Sequence, residues 1–263
     1  LTKTNGFTGQ LAALHIHHGL SKNADKWALF CENFCKTHEI AFFCQRVLIE
    51  TPHKNIEESA RNVRYQAFLS FDAFTADAFL LAHHQDDLAE TMLFNLLRGA
   101  GIKGASGMAQ MRFLTAQKRL IRPFLNTPKS ALLAYAKEHQ LQFIVDESNE
   151  NTRFSRNFLR QEVFPLLATQ FKNAPQVFAR AAGHFSETQT LLNEISAEDF
   201  SACKLTNNQF CLNKINALSN ARAKNLLRFI LHQKNIKMPE AAWINEALSQ
   251  LKNAQQNAQI HLQ

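Results

Sequence analysis

Along the first two thirds of the chain, apolar residues alternate between short unbroken runs and runs spaced three and four apart. Residues 11–16 form a brief apolar run that ends in His17-His18-Gly19-Leu20. Residues 24–38 put Trp27, Phe30, Cys31, Phe34 and Cys35 on one helical side, and 41–49 is again strand-like. Ile56, Ala60, Val63, Ala67 and Phe71 then mark a helix whose polar side carries Glu57, Arg61 and Arg64. A third apolar run, 77–82, leads into a helix over 86–98, with Leu88, Met92, Leu93, Leu96 and Leu97 at helical spacing and Gly99 where a C-cap belongs. Strand and helix in strict alternation predict parallel strands joined by right-handed crossovers. The expected fold class is α/β, a doubly wound parallel sheet.

A Gly-rich loop over 99–104 precedes a short strand near 120–122 that stops at Pro123. A helix is expected from Thr127-Pro128 to about His139, with Thr127 as N-cap and Pro128 at the first helical position. Residues 146–157 are polar and irregular. Beyond them the pattern is almost wholly helical, with segments over 158–170, 174–198, 219–235 and 240–251, and glycine becomes scarce after Gly107. These shifts predict a nucleotide-binding sheet domain over 1–170 and a smaller, mainly helical domain over 171–263.

With 46% apolar and 19% charged residues, the composition describes a packed globular chain and not a disordered one. No apolar run approaches the roughly 18 residues a membrane helix needs, and no basic stretch followed by an apolar one opens the chain, so the expected location is the cytoplasm. The net charge is +7, and it is unevenly placed: nine basic side chains stand against four acidic ones between Arg112 and Arg160. Such a stretch suits a phosphate-rich partner, or else a solvated surface of mixed charge. The five cysteines form no Cys-x-x-Cys pair and read as reduced thiols, with Cys31 and Cys35, one helical turn apart beside Trp27, Phe30 and Phe34, expected in core packing, which leaves a structural zinc site without support.

The densest chemistry lies in Ala82-His83-His84-Gln85-Asp86-Asp87-Leu88-Ala89-Glu90-Thr91, at the junction of the third strand and its helix. Ligands of open parallel sheets bind at such junctions, outside the carboxyl ends of the strands. Asp87 and Glu90 are three apart and Asp86 and Glu90 four apart, so their carboxylates can share one face of the first turn, with His83 beside them. The group can hold a divalent cation, attract an ammonium group or orient a base; the aspartates can also simply cap the helix N-terminus.

Four segments occur in order: His15-Ile16-His17-His18-Gly19-Leu20; Glu57-x-x-Ala60-Arg61-x-x-Arg64-Tyr65; Ala82-His83-His84-x-Asp86-Asp87-x-x-Glu90-Thr91 running to Leu97-Arg98-Gly99-x-Gly101; and Arg122-Pro123 followed by Asp146-x-Ser148-Asn149 and Arg156-Asn157-Phe158-Leu159-Arg160. Together, over essentially the whole chain, they resemble the tRNA(Ile)-lysidine synthase family of PP-loop ATP pyrophosphatases. The resemblance implies a C–N-forming ligase. ATP adenylates the wobble cytidine of a tRNA(Ile) with a CAU anticodon and pyrophosphate leaves; the ε-amine of free L-lysine then displaces AMP. It implies ATP and Mg²⁺ as cofactors, with Asp86 and Asp87 as candidate metal ligands and His83, Asp87 and Glu90 as candidate catalytic residues. His17, His18 and Gly19 fall where the family meets the nucleotide. Arg64, Arg98, Arg122, Arg156 and Arg160 are the candidates for tRNA and phosphate, Arg156 and Arg160 being spaced to reach one phosphate together. Arg61, one turn after Glu57, is better explained as a surface ion pair. The resemblance leaves a homodimer open.

The sequence lacks the family's Ser-Gly-Gly-x-Asp-Ser phosphate loop, and residues 1–10 look like the end of the helix that follows it. The chain is therefore expected to be truncated at both ends and to be inactive by itself, since that loop cradles pyrophosphate. Three alternatives share some of these features: a PP-loop tRNA thiolase, which would call for paired cysteines; a metal-dependent hydrolase using the His/Asp cluster; and a non-catalytic RNA-binding protein.

Overall fold

The computed structural model describes residues 9–19, 21–48, 56–72, 75–206 and 209–253, without the side chains of 56–58. The expected helix tail before residue 9, Leu20, the end of the second strand at Ile49, and the Glu57 carboxylate lie outside these residues. The chain runs β1 (Ala12–His17), α1 (Ala24–Thr37), β2 (Ala41–Arg46), α2 (Ile56–Ser70), β3 (Ala78–Leu80) and α3 (Gln85–Leu97), as the apolar periods predict. It continues through α4 (Ile102–Ala105), β4 (Met111–Phe113), β5 (Arg119–Ile121) and α5 (Lys129–Glu138). A 3₁₀ turn (Glu147–Glu150) precedes α6 (Ser155–Phe158), a π-turn (Leu159–Val163) and α7 (Phe164–Gln170). The rest is helical: α8 (Ala174–Cys203), α9 (Leu212–Ala217), α10 (Asn220–Gln233) and α11 (Ala241–Asn253).

The strands form two ladders among the described residues. β1 pairs with β2 in parallel, and β3 pairs with β5 in parallel. The parallel core is as expected, but β4 adds an antiparallel strand on the far side of β5. Three residues of Met-Arg-Phe, all exposed, carry no periodicity from which that strand could be read. Beneath these ladders lies an aromatic core. Phe68 of α2 stacks on Phe79 of β3 at 4.7 Å, and Leu120, Leu14, Ile16 and Tyr65 complete the cluster. A second cluster joins Ala89 of α3 to Leu159, Phe164 and Ala174, which fixes the segment carrying Arg156 and Arg160 against the site helix.

Contacts divide the chain into residues 1–94 with 108–179, and 95–107 with 180–263, where a boundary at 170/171 was expected. The division is not sequential because α3 and α8 are continuous helices that each contribute to both units. In the second unit, Cys203, Ile215, Ala223, Leu226 and Leu248 form the core, Asp199 is bound by two hydrogen bonds from Arg222, and Ser219 caps α10. All five cysteines are free thiols, with Cys35 and Cys203 buried. Among the described residues, no helix is long and apolar enough to cross a membrane.

The expected N-cap of α5 differs. Pro128, not Thr127, occupies the cap position and supplies no side-chain bond. The amide of Lys129 is instead satisfied from a distance, by Asp86 Oδ2 at 2.9 Å, while Gln85 N–H donates to the Thr127 carbonyl at 3.0 Å. The first residues of α3 and α5 thus tie one another down. A proline has no N–H and no polar side chain, so a cap for this helix had to come from elsewhere.

Candidate active site

β3 ends at Leu80 and α3 begins at Gln85, so the four residues between are held at the carboxyl edge of the sheet. His84 and Asp87 form a reciprocal cap at the start of α3. The His84 amide donates to Asp87 Oδ2 at 2.9 Å, and the Asp87 amide donates to His84 Nδ1 at 3.4 Å. The capping reading of the acidic pair is therefore real for both aspartates, since Asp86 caps α5. It does not exhaust them. No described residue hydrogen-bonds Asp86 Oδ1, whereas Asp87 Oδ1 accepts from Arg160 Nη2 at 3.3 Å.

Glu90 is 4% exposed and both its oxygens are taken by one guanidinium: Arg160 Nε donates to Oε1 at 2.7 Å and Nη2 to Oε2 at 2.8 Å. This fork-to-fork geometry is the strongest ion pair a carboxylate can make, and it holds the Arg160 guanidinium firmly protonated. Arg160 sits on the π-turn, a local widening of the helix that often marks functional positions. Arg156 donates to Thr91 Oγ1 at 3.2 Å. The two arginines therefore reach neighbouring residues of α3. Asn157 closes the preceding loop by donating to the carbonyls of Ser148 and Asn151.

His83 is half-buried, and its Nδ1 is enclosed without a hydrogen-bond partner. Burial, followed by the positive charges of Arg122, Arg64 and Arg156 and against the pull of Asp87, lowers its pKa to about 4. At neutral pH it is an uncharged imidazole that can accept a proton or a hydrogen bond. The arginines that act on it are themselves largely enclosed. Arg122 is 2% exposed, with Nη1 on the Ala109 carbonyl at 2.7 Å, and Arg64 is partly buried; burial pushes both guanidinium pKa values down. Burial raises the Tyr65 phenol, but Arg61, Arg112 and Arg122 together bring it below its ordinary value.

In the first strand's turn, His17 is buried and bonds Asp25 Oδ1 at 3.1 Å, an oxygen also held by Arg46 at 2.6 Å. His17 is thus spent on tying β1 to α1. His18 is half-buried with an unpartnered Nδ1, and burial, then Arg64, lowers its pKa. Gly19 has φ +68°, and a Cβ there would meet nothing within 4 Å, so backbone conformation alone selects glycine. Arg98 falls in the second unit.

The structure brings His83, Asp86, Asp87, Glu90, Arg156 and Arg160 together around α3, with Arg64 and Arg122 acting on His83. Thr91, Tyr65 and Arg112 were not singled out from sequence, although the first two stand inside quoted motifs. Among the described residues, no three His, Cys, Asp or Glu side chains converge on a metal-sized position. A Mg²⁺ ion needs less, because it keeps several waters and takes one or two carboxylates beside substrate phosphates. Asp86 Oδ1 fits that requirement.

Residues 2–167 match the PP-loop domain family, and residues 210–263 match the TilS substrate binding domain. The chain is 39% identical over 249 residues to a tRNA(Ile)-lysidine synthase of Nitrosomonas europaea, covering 94% of this chain and 54% of that protein. It is 39% identical over 247 residues to the enzyme of the same name from Aromatoleum aromaticum, covering 94% and 57%. A Pseudomonas fluorescens relative of that name is 42% identical over 195 residues, covering 74% and 43%. The chain thus spans about half the length of the curated relatives it matches. In fold it is similar to a U34-tRNA thiolase, NcsA from Methanococcus maripaludis, at TM-score 0.55 and 15% identity over 68% of this chain and 62% of that one. With a sheet-edge site of this build and a family match covering well over half its length, the chain belongs to the PP-loop family.

Proposed function

We propose that this chain carries the catalytic centre of a cytoplasmic tRNA(Ile)-lysidine synthase, which uses ATP to activate the wobble cytidine of a CAU anticodon and joins it to free lysine. The observation that carries the reading is the His83–Asp87–Glu90–Arg160 constellation at the carboxyl edge of β3, in a chain similar over 94% of its length to enzymes of that name. The thiolase alternative is not favoured, because the likeness to such an enzyme is one of fold only.

The residues divide the work. Lysine arrives as an ammonium ion and must lose a proton before its nitrogen can attack. Asp87, partly exposed beside a neutral His83, attracts the cation and accepts or relays that proton. Glu90 spends both oxygens on Arg160, so its role is positioning: it sets the guanidinium that in turn orients Asp87. Arg64, Arg122 and Arg156 bring positive charge suited to phosphate to His83. His18 and the Gly19 turn flank the nucleotide. Asp86 would hold Mg²⁺, which offsets triphosphate charge when bound.

The test is lysine incorporation into tRNA(Ile) by the full-length protein. The wild type should consume ATP and lysine to give lysidine, AMP and pyrophosphate, and Asp87→Asn should lower kcat at least 100-fold with ATP affinity retained. Absence of lysine transfer by the wild type overturns the reading, and full activity in Asp87→Asn removes that residue from the chemistry.

A further inference from the structure

The positive charge on the α2 side of His83 is more than the reaction's lysine-handling half requires. Arg61 and Tyr65 lie one turn apart on α2, Arg112 lies on β4, and Arg122 follows β5. The Arg112 guanidinium carbon stands 4.4 Å from the centre of the Tyr65 ring and that of Arg61 stands 5.6 Å from it. Arg122, 2% exposed, faces the same phenol and keeps a buried Nε without a partner. Arg61, Arg112 and Arg122 all act on the Tyr65 phenol, and Arg122 in turn is held by that phenol and opposed by Arg112 and Arg61; among the described residues no carboxylate ranks with these charges. Burying a cation without a counter-charge is costly, and the described residues supply Arg122 with none, so an anion that arrives with the substrate would complete the group.

We propose that Arg61, Tyr65, Arg112 and Arg122 clamp one backbone phosphate of the RNA, the phosphate flanking the nucleotide that reacts beside His83. The inference rests on the tRNA substrate assigned above. Planar guanidiniums match phosphate oxygens in pairs, and a tyrosine hydroxyl adds a neutral donor. The depth profile favours a polymer over a nucleotide: Arg122 is buried, while Arg61 and Arg112 are exposed, so the site opens to the surface where a strand can pass. Arg122 is also the leading charge acting on His83, which places the clamp next to the chemistry. A base presented singly to an active site needs its own backbone held close by, and gripping the adjacent phosphate does that. Arg61 acquires a role here beyond a surface ion pair.

The experiment measures binding of an anticodon stem-loop to the full-length protein, using RNAs with a single uncharged methylphosphonate at successive positions, alongside ATP binding. Arg112→Ala and Arg61→Ala should each weaken binding about 10-fold and flatten the dependence of log K on log salt by about 0.7. A methylphosphonate beside the wobble cytidine should cost the wild type a similar factor and cost Arg112→Ala almost nothing, while ATP affinity stays unchanged in both variants. Both arginines are exposed, so melting temperature should not move and a folding defect is separable. Normal RNA affinity in both variants overturns the clamp, as does a loss confined to ATP, which would assign the site to nucleotide phosphate. Failure of the wild type to bind any tRNA overturns the functional reading itself, a different result from variants that bind as well as the wild type.

Discussion

Arg160 clasps Glu90 through two parallel hydrogen bonds of 2.7 and 2.8 Å across 70 residues of sequence, one partner on the π-turn and the other on the site helix. Glu90 is buried and Arg160 about one third exposed. Glu90→Ala should therefore destabilise the fold by about 2–3 kcal/mol, because it leaves a partly buried guanidinium without its anion. Pairing Glu90→Leu with Arg160→Met should recover most of that in urea denaturation while abolishing lysine transfer. A double variant as unstable as Glu90→Ala would show that packing, and not charge, holds the two segments together.

Asp86 caps α5 through Oδ2, and in the proposed function its Oδ1 would hold Mg²⁺. Asp86→Asn keeps an acceptor for the Lys129 amide, so its stability should stay within about 0.5 kcal/mol of wild type, whereas Asp86→Ala should lose about 1 kcal/mol. Both should raise the Mg²⁺ concentration needed for half-maximal activity about 10-fold. An unchanged Mg²⁺ requirement in Asp86→Asn would leave Asp86 a structural cap alone.

His83 makes a prediction about pH. Its folded pKa is lowered from 6.5 to about 4, so between those values the unfolded chain binds more protons than the folded one. The contribution of a neutral His83 is fully present above pH 6.5 and is lost as pH falls toward 4. His83→Gln should thus lose less stability than the wild type between pH 6.5 and 4.5, measured by denaturant midpoints at each pH. Parallel curves would mean that the imidazole titrates normally.

Lys118 extends its ammonium group to the carbonyls of Phe68, Leu69 and Phe71 at 3.4, 3.1 and 3.2 Å, closing the C-terminal end of α2. A cation there satisfies carbonyls that the helix leaves open and complements its dipole. Lys118→Met should cost about 1 kcal/mol and speed amide exchange in the last turn of α2, the helix that carries Arg61, Arg64 and Tyr65. Unaltered exchange there would rule out the cap.

Sequence alone determined the local part of this protein. Short unbroken apolar runs and apolar residues spaced three and four apart placed β1, α1, α2, β3 and α3 within a residue or two of their observed ends, and the start of β2, which stops at Arg46 short of the expected 49, because each element buries a face that its own pattern defines. The same logic put His83, Asp86, Asp87 and Glu90 at a strand-to-helix edge. The pairing of those groups was decided only by tertiary structure. The partner of Glu90 is 70 residues away, the cap of α5 is supplied by Asp86 and not by the neighbouring Thr127, and Arg112 meets Tyr65 through a three-residue strand too short to show a period. Hydrogen bonds and ion pairs act over about 3 Å in space whatever their separation in the chain, so they leave no mark on sequence spacing.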